Sequence, residues 1–164
     1  KTGHSLIKDK MRRTGAPVAG EMSGHICFAD KWFGVDDAIY DAARLADLVA
    51  RSGETLEALA DRIPDYPSTP ELRLACPEED KFRIVEEVAE HYRGRRPLTD
   101  LDGARVDFGD GWALVRASNT QPVVVVRVEA RTPEALARIR DEVSGVLAPH
   151  GVEVPELDEL EVGG

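Results

Sequence analysis

The sequence predicts two parts of different fold class: a partial α/β domain over residues 1–64, and a small α+β domain over residues 65–164 with an antiparallel sheet and helices packed on one face. Two observations predict this division. Three prolines fall within residues 64–70, a composition that ends helices and cannot continue through the middle of a sheet. Beyond them, hydrophobic runs follow the order β-α-β-β-β-β-α with short turns, which is typical of an antiparallel sheet covered by helices on one side.

The first part is predicted to be mainly helical. An apolar face over residues 4–14 stops at Gly15, a residue that suits the left-handed end of a helix. Asp36 is expected to cap a second helix that runs through Val49, and Thr55 to cap a short third helix.

One segment of the first part, residues 18–29, is predicted to be extended. If it is, Glu21, Ser23 and His25 share one face, because side chains alternate along a strand. A single strand offers too little apolar surface for two or three helices. We therefore expect that further sequence precedes Lys1, and that this part is the less stable of the two.

The second part is predicted to alternate strands and helices around one core. The first helix is expected over residues 77–92, with Phe82, Val85 and Val88 facing inward. The strands are expected at residues 72–75, 98–101, 104–108, 112–115 and 123–128, and the last helix at residues 133–147 after the cap Thr132. The acidic tail after His150 is expected to fray.

Charge and composition narrow the function classes. The chain has 164 residues and a net charge of -10, with 31 acidic against 21 basic residues. A nucleic-acid or anionic membrane surface needs a basic footprint, so we expect neither partner. No apolar run approaches a membrane span, and no signal peptide opens the chain. Cys27 and Cys76 form no C-x-x-C pair, which favours a cytoplasmic protein without a zinc site.

The densest cluster of chemistry-bearing residues is Arg-Ala-Ser-Asn-Thr-Gln-Pro at residues 116–122, between two predicted strands. The planar fork of an arginine matches the oxygens of a phosphate, and Ser, Asn and Thr add short polar contacts. Consecutive backbone N–H groups in such a turn can form a concave nest for an anion. From these residues alone, a phosphate-binding loop and an ordinary polar surface turn are both open.

Three motifs in order resemble a known family. They are Lys-Thr-Gly-His-Ser at residues 1–5, Gly-Glu-Met-Ser-Gly-His at residues 20–25, and the stretch at residues 116–122. Together they resemble the C-terminal part of a bacterial phosphomannomutase/phosphoglucomutase, of the α-D-phosphohexomutase superfamily. The resemblance also includes residues 32–37, 68–71 and 102–107. It implies a four-domain enzyme, of which this chain holds the end of the third domain and the whole fourth.

The resemblance implies two substrate-binding elements. In that family the Gly-Glu-Met-Ser-Gly-His loop binds the sugar hydroxyls, which would assign Glu21 and Ser23 to the hydroxyls and place His25 and His4 beside them. A carboxylate suits this role because it accepts two hydroxyl protons at once. The residues that would bind the phosphate not being transferred are Arg116, Ser118, Asn119 and Thr120. Gln121 stands where the family often has Glu or Thr.

The implied activity is the interconversion of hexose 1-phosphate and hexose 6-phosphate, with mannose or glucose as the sugar, through a phosphoserine enzyme and a bisphosphorylated intermediate. The implied cofactors are Mg²⁺, with its ligands outside this chain, and hexose 1,6-bisphosphate as activator. The expected partners are a small hexose phosphate and the remaining domains of the same enzyme. No stretch resembles the family's phosphoserine or Asp-rich magnesium loop, so we predict no catalytic residue and no activity for this chain alone.

Two other functions stay open. A non-catalytic phosphate-binding or regulatory module would retain both loops, and the sequence that precedes Lys1 would distinguish it from an enzyme. A purely structural interaction domain predicts no response to phosphosugars at all.

Overall fold

A computed structural model of the chain describes residues 3–21 and 23–160. The chain divides into two compact units, Lys1–Pro64 and Asp65–Gly164. The described residues contain five α-helices and two antiparallel sheets, one of three strands and one of five. Lys1, Thr2 and Met22 lie outside the described residues, and with them parts of two of the three motifs.

The first unit contains three helices and a small sheet. The predicted first helix is confirmed, since α1 spans His4–Thr14 and ends at Gly15 with a φ of 68°. The second helix is capped one residue later than predicted, because the Asp37 carboxylate accepts the N–H groups of Ile39 and Tyr40. The elements are α1 (His4–Thr14), β1 (Val18–Gly20), β2 (Ile26–Phe28), β3 (Val35–Asp36), α2 (Ala38–Ser52) and α3 (Leu56–Ala60).

The predicted single strand over residues 18–29 is wrong. The segment forms a hairpin in which β1 pairs with β2, and β3 joins the other side of β2. The N–H of Glu21 donates to the carbonyl of His25 at 2.9 Å, and the N–H of Gly24 donates back to Glu21 at 3.0 Å. Gly24 has a φ of 85°, which a glycine tolerates without strain. Glu21, Ser23 and His25 therefore lie in a turn rather than along one strand face.

Few side chains of the first unit are buried. Met11 and Cys27 are its buried hydrophobic residues within the described part of the chain. The apolar stripe of α2 is exposed, and Ile39 retains 86% of its accessible surface. The described residues of this unit do not cover this stripe.

The second unit is built on a five-stranded antiparallel sheet in the order β4-β8-β7-β6-β5. Its elements are β4 (Leu72–Ala75), α4 (Lys81–Tyr92), β5 (Leu98–Thr99), β6 (Ala104–Asp107), β7 (Gly111–Ala117), β8 (Val123–Ala130) and α5 (Pro133–Leu147). Alternate side chains of β7 and β8 are buried against α4 and α5. The other face of β7 carries Trp112, Leu114 and Arg116, as the alternation predicts.

Helix α4 begins later than predicted, and its buried stripe is different. Residues 78–80 form a turn before the helix starts at Lys81. Phe82, predicted to face inward, is 57% exposed. The buried residues are Lys81, Ile84, Val85, Val88, Ala89 and Tyr92. These positions follow the spacing of one helix face, and Phe82 falls beside that face.

Part of the proline-rich segment belongs to the sheet of the second unit. The N–H of Ala130 donates to the Pro67 carbonyl at 3.0 Å, and the N–H of Thr69 donates to Val128 at 2.9 Å. The Thr69 hydroxyl accepts the N–H of Val128 at 3.0 Å. An edge position tolerates prolines because one side of the strand needs no ladder partner.

The tail after His150 was predicted to fray, and through Leu160 this prediction is wrong. Val152 and Val154 are buried in the core. The buried Arg140 guanidinium donates to the carbonyls of Val154 at 2.6 Å and Pro155 at 2.8 Å. Residues 161–164 lie outside the described part of the chain. In the part that is described, no helix has both the length and the apolar character that crossing a membrane requires.

Candidate functional site

The turn between β7 and β8 is closed by its own hydrogen bonds. The N–H of Ser118 donates to the Val123 carbonyl at 3.1 Å. The Ser118 hydroxyl oxygen accepts the N–H groups of Thr120 at 3.3 Å and Gln121 at 3.2 Å. Ser118 is only 7% exposed, whereas Asn119 and Thr120 are exposed at the tip. Ser118 therefore shapes the turn, and its two neighbours face solvent.

Arg116 precedes this turn on the open face of β7, and the turn after β5 fixes its position. Its Nη1 lies 3.8 Å from Oδ2 of Asp102. Gly103 has a φ of 88°, and a Cβ there would lie 2.4 Å from the Val115 carbonyl oxygen and 2.9 Å from the Arg116 Cα. Only a glycine lets the two segments approach this closely. The arginine is thus held by a backbone contact and by a carboxylate.

A second arginine on this face, Arg127 of β8, was missed by the sequence analysis. The strand register places Val125 opposite Arg116 and Arg127 opposite Leu114, so the two arginines are diagonal neighbours on one face. The Nε of Arg127 is buried, and no residue of the described chain accepts a hydrogen bond from it.

The first unit contains the other predicted element, the turn at residues 21–25. Glu21 Oε2 accepts the N–H of Gly3 at 3.2 Å, which joins this turn to the start of α1, where His4 is exposed. Ser23 Oγ and His25 Nδ1 are hydrogen bonded at 2.7 Å. The structure thus brings the first two motifs together.

The chemistry of this turn suits hydroxyl groups. It presents a carboxylate, a hydroxyl and an imidazole, which together accept and donate hydrogen bonds. His25 Nε2 lies 3.9 Å from Oδ2 of Asp36. Ser23 and His25 are exposed and are available to a ligand.

The site residues do not form a metal centre. Across residues 3–21 and 23–160, no three or more His, Cys, Asp or Glu side chains are grouped so that they could hold a metal ion. The described residues therefore do not fit Mg²⁺. Beside the phosphate-loop candidate, burial raises the pKa of the Cys76 thiol, so this side chain is neutral at physiological pH.

Comparison with known proteins identifies the family. The alpha/beta/alpha domain III of phosphoglucomutase/phosphomannomutase matches residues 1–66, and the C-terminal domain of the same proteins matches residues 71–146. The chain belongs to the phosphoglucomutase/phosphomannomutase family. The resemblance drawn from the three motifs and the predicted fold class are both confirmed. The turn at residues 21–25 falls in the domain III match, and the loop at residues 116–122 falls in the C-terminal match.

Individual relatives agree with this assignment. A phosphomannomutase/phosphoglucomutase of Pseudomonas aeruginosa is 50% identical over 141 residues, which cover 85% of this chain and 30% of the relative. A phosphoglucomutase of Neisseria gonorrhoeae is 45% identical over 155 residues, which cover 92% of this chain and 34% of the relative. The chain thus spans about a third of the length of these family members.

A solved structure agrees in fold. A phosphoglucomutase/phosphomannomutase family protein from Burkholderia thailandensis matches with a TM-score of 0.78 and 42% identity, over 92% of this chain and 32% of that one. The roles of the individual site residues stay predictions.

Proposed function

We propose that the chain is the substrate-binding portion of a phosphohexomutase that interconverts hexose 1-phosphate and hexose 6-phosphate, with mannose or glucose as the sugar. The observation that carries the proposal is the loop at residues 116–122. It exposes Asn119 and Thr120 beside a fixed arginine, on a strand face that carries a second arginine, Arg127. In a chain of net charge -10, such a local basic site is what a small phosphorylated ligand requires.

The loop receives the phosphate that is not transferred. The Arg116 guanidinium offers paired N–H donors that match two phosphate oxygens. Asn119 and Thr120 donate from the tip, and Ser118 contributes its hydroxyl proton while its oxygen shapes the turn. Because these donors are arranged before the ligand arrives, binding costs little ordering of the loop.

The turn at residues 21–25 receives the sugar. The Glu21 carboxylate accepts protons from two neighbouring hydroxyls, and one of its oxygens is oriented by the N–H of Gly3. The Ser23 and His25 pair donates to or accepts from a further hydroxyl, and His4 lies at the adjoining helix start.

The phosphoryl transfer itself is assigned to other domains of the same enzyme, which are this chain's partners. There a phosphoserine would supply the phosphoryl group and Mg²⁺ would neutralise charge that develops during transfer, with hexose 1,6-bisphosphate as the intermediate. This chain would bind and orient the hexose phosphate and would not convert it. The cytoplasm is the proposed compartment, since both cysteines are free thiols.

The test is ligand binding by the purified chain. Calorimetry with glucose 1-phosphate and mannose 1-phosphate should show weak binding that Arg116→Ala reduces about tenfold or more, because a charge-assisted hydrogen bond is lost. The control is Arg83→Ala, since Arg83 is exposed on α4 and pairs with Asp80 and Glu87. Equal affinities for glucose and glucose 1-phosphate would contradict the proposal, as would conversion of glucose 1-phosphate to glucose 6-phosphate by the chain alone.

A further inference from the structure

Lys81 occupies a position that two physical effects disfavour. Its side chain is 1% exposed, although burial of an ammonium is costly unless it is paired and hydrogen bonded. It is also the first residue of α4, where the positive end of the helix dipole repels a cation. Because both its burial and its position at the helix N-terminus are unfavourable, Lys81 is expected to make a compensating interaction elsewhere in the structure.

The partners of the Lys81 ammonium show where that interaction lies. Its Nζ is 2.6 Å from Oε1 of Glu78, which offsets the charge. Nζ also donates to the backbone carbonyl of Gln121 at 3.2 Å, although the two residues are 40 positions apart. Gln121 is the last residue before the proline that ends the phosphate-loop candidate.

Two further hydrogen bonds hold Gln121 in place. Its carbonyl accepts the N–H of Val123 at 2.9 Å, and its side-chain Oε1 accepts a hydrogen bond from Arg73 of β4 at 2.5 Å. The next carbonyl, that of Pro122, accepts the N–H of Cys76 at 3.1 Å. The far end of the loop is therefore fixed by β4 and α4, while its near end is fixed by Ser118.

We propose that Lys81 is a positioning residue for the phosphate-binding loop. Its ammonium holds the Gln121 carbonyl, which keeps the exposed residues Asn119 and Thr120 in the arrangement that receives a phosphate. Lys81 acts through the loop and does not touch the ligand. The inference rests on the proposed function of the loop.

The test compares charge-removing substitutions on one helix in the full chain. Lys81→Met keeps the apolar stem and should raise the Kd for inorganic phosphate and for glucose 1-phosphate about tenfold, the effect of one charge-assisted hydrogen bond. Arg83→Met removes an exposed charge of the same helix and should change Kd less than about twofold. Lys81→Arg keeps the charge and should recover part of the affinity, which a purely structural role does not require.

A second measurement applies if Lys81→Met does not fold. In the unsubstituted chain labelled with ¹⁵N, the Lys81 ammonium signal should shift on addition of inorganic phosphate, in step with the amides of Asn119 and Thr120. Loop amides that shift while the ammonium does not would overturn the role of Lys81 and leave the loop's function intact. Loop amides that do not shift at all would overturn the function proposed for the loop. An unchanged Kd in folded Lys81→Met would also overturn the role of Lys81.

Discussion

The two units of this chain support their proposed ligand-binding turns in different ways. The second unit holds its loop with a five-stranded sheet, two helices and a buried lysine. The first unit holds the turn at residues 21–25 with two three-residue strands and one hydrogen bond to Gly3. Binding an anion requires several hydrogen-bond donors that are held in place at once. Binding sugar hydroxyls requires only a well-placed carboxylate and its neighbours. The contrast fits one anchoring element and one adaptable element.

Truncating a leucine should lower the free energy of unfolding much more in the second unit than in the first. Leu136 of α5 is 1% exposed, and Leu48 of α2 is 55% exposed. Leu136→Ala should lower the free energy of unfolding of the second unit by about 2–5 kcal/mol, because it leaves a cavity. Leu48→Ala is the matched control and should change stability by less than about 0.5 kcal/mol. Urea denaturation measures both, and equal losses would remove the contrast between the units.

The next effect concerns the tail that closes the second unit. Arg140→Ala removes the donor to the Val154 and Pro155 carbonyls and should destabilise the unit by about 3 kcal/mol, since buried acceptors lose their partner. Arg138→Ala, on the same helix, removes an exposed ion pair with Asp110 and should lower stability much less, because solvent screens such a pair. Similar losses for the two variants in thermal unfolding would show that the tail contributes little.

Substitutions in the two turns should affect the binding of different parts of a phosphosugar. Arg116→Ala in the complete enzyme should raise KM for phosphosugars by a factor of about ten to a hundred, the loss of about 1.5–3 kcal/mol. In this chain, Glu21→Ala should weaken binding of glucose 1-phosphate and leave that of inorganic phosphate unchanged. If both ligands weaken equally, Glu21 has a structural role, and an unchanged KM excludes Arg116 from the site.

The smallest effect is confined to high pH. Burial raises the pKa of Tyr92 to about 12, and its hydroxyl has no hydrogen-bond partner within the described residues. The folded state therefore holds this proton more tightly than the unfolded state, whose tyrosine titrates near its ordinary pKa of 10. The resulting stability is complete below about pH 10 and is lost as pH rises towards 12, by on the order of 2 kcal/mol.

A matched substitution isolates the tyrosine in that experiment. Tyr92→Phe keeps the ring against Phe108 and removes the titrating group. The variant should lose less stability than the parent chain between pH 10 and 12 in urea titrations. Parallel curves for the two proteins would assign the alkaline loss to other groups.

Local chemistry predicted those parts of the fold that depend on neighbouring residues. Gly15 ends α1 and Thr132 caps α5 because their backbone and side-chain preferences act within one turn. Alternation placed Arg116 on the open face of β7 for the same reason. The family motifs identified the family and selected the loop, and the structure shows that loop to be shaped by Ser118.

Three of the errors have a different cause, since they depend on contacts between residues that are separated in sequence. Phe82 was assigned inward because nothing near it shows that Lys81 reaches a carbonyl 40 positions away. The acidic composition of the tail predicts fraying, because that composition does not show that the buried Arg140 of α5 donates to the Val154 carbonyl. Arg127 was missed because its importance appears only when the register places it beside Arg116.

The close approach at Gly103 has a consequence for how mutations in this family are interpreted. Any side chain at this position would collide with the backbone that carries Arg116. If Arg116 binds phosphate as proposed, systematic mutagenesis would therefore report a loss of binding at Gly103, a residue that offers no side-chain atom to a ligand. If activity alone were measured, Gly103 would be mistaken for a residue that contacts the ligand.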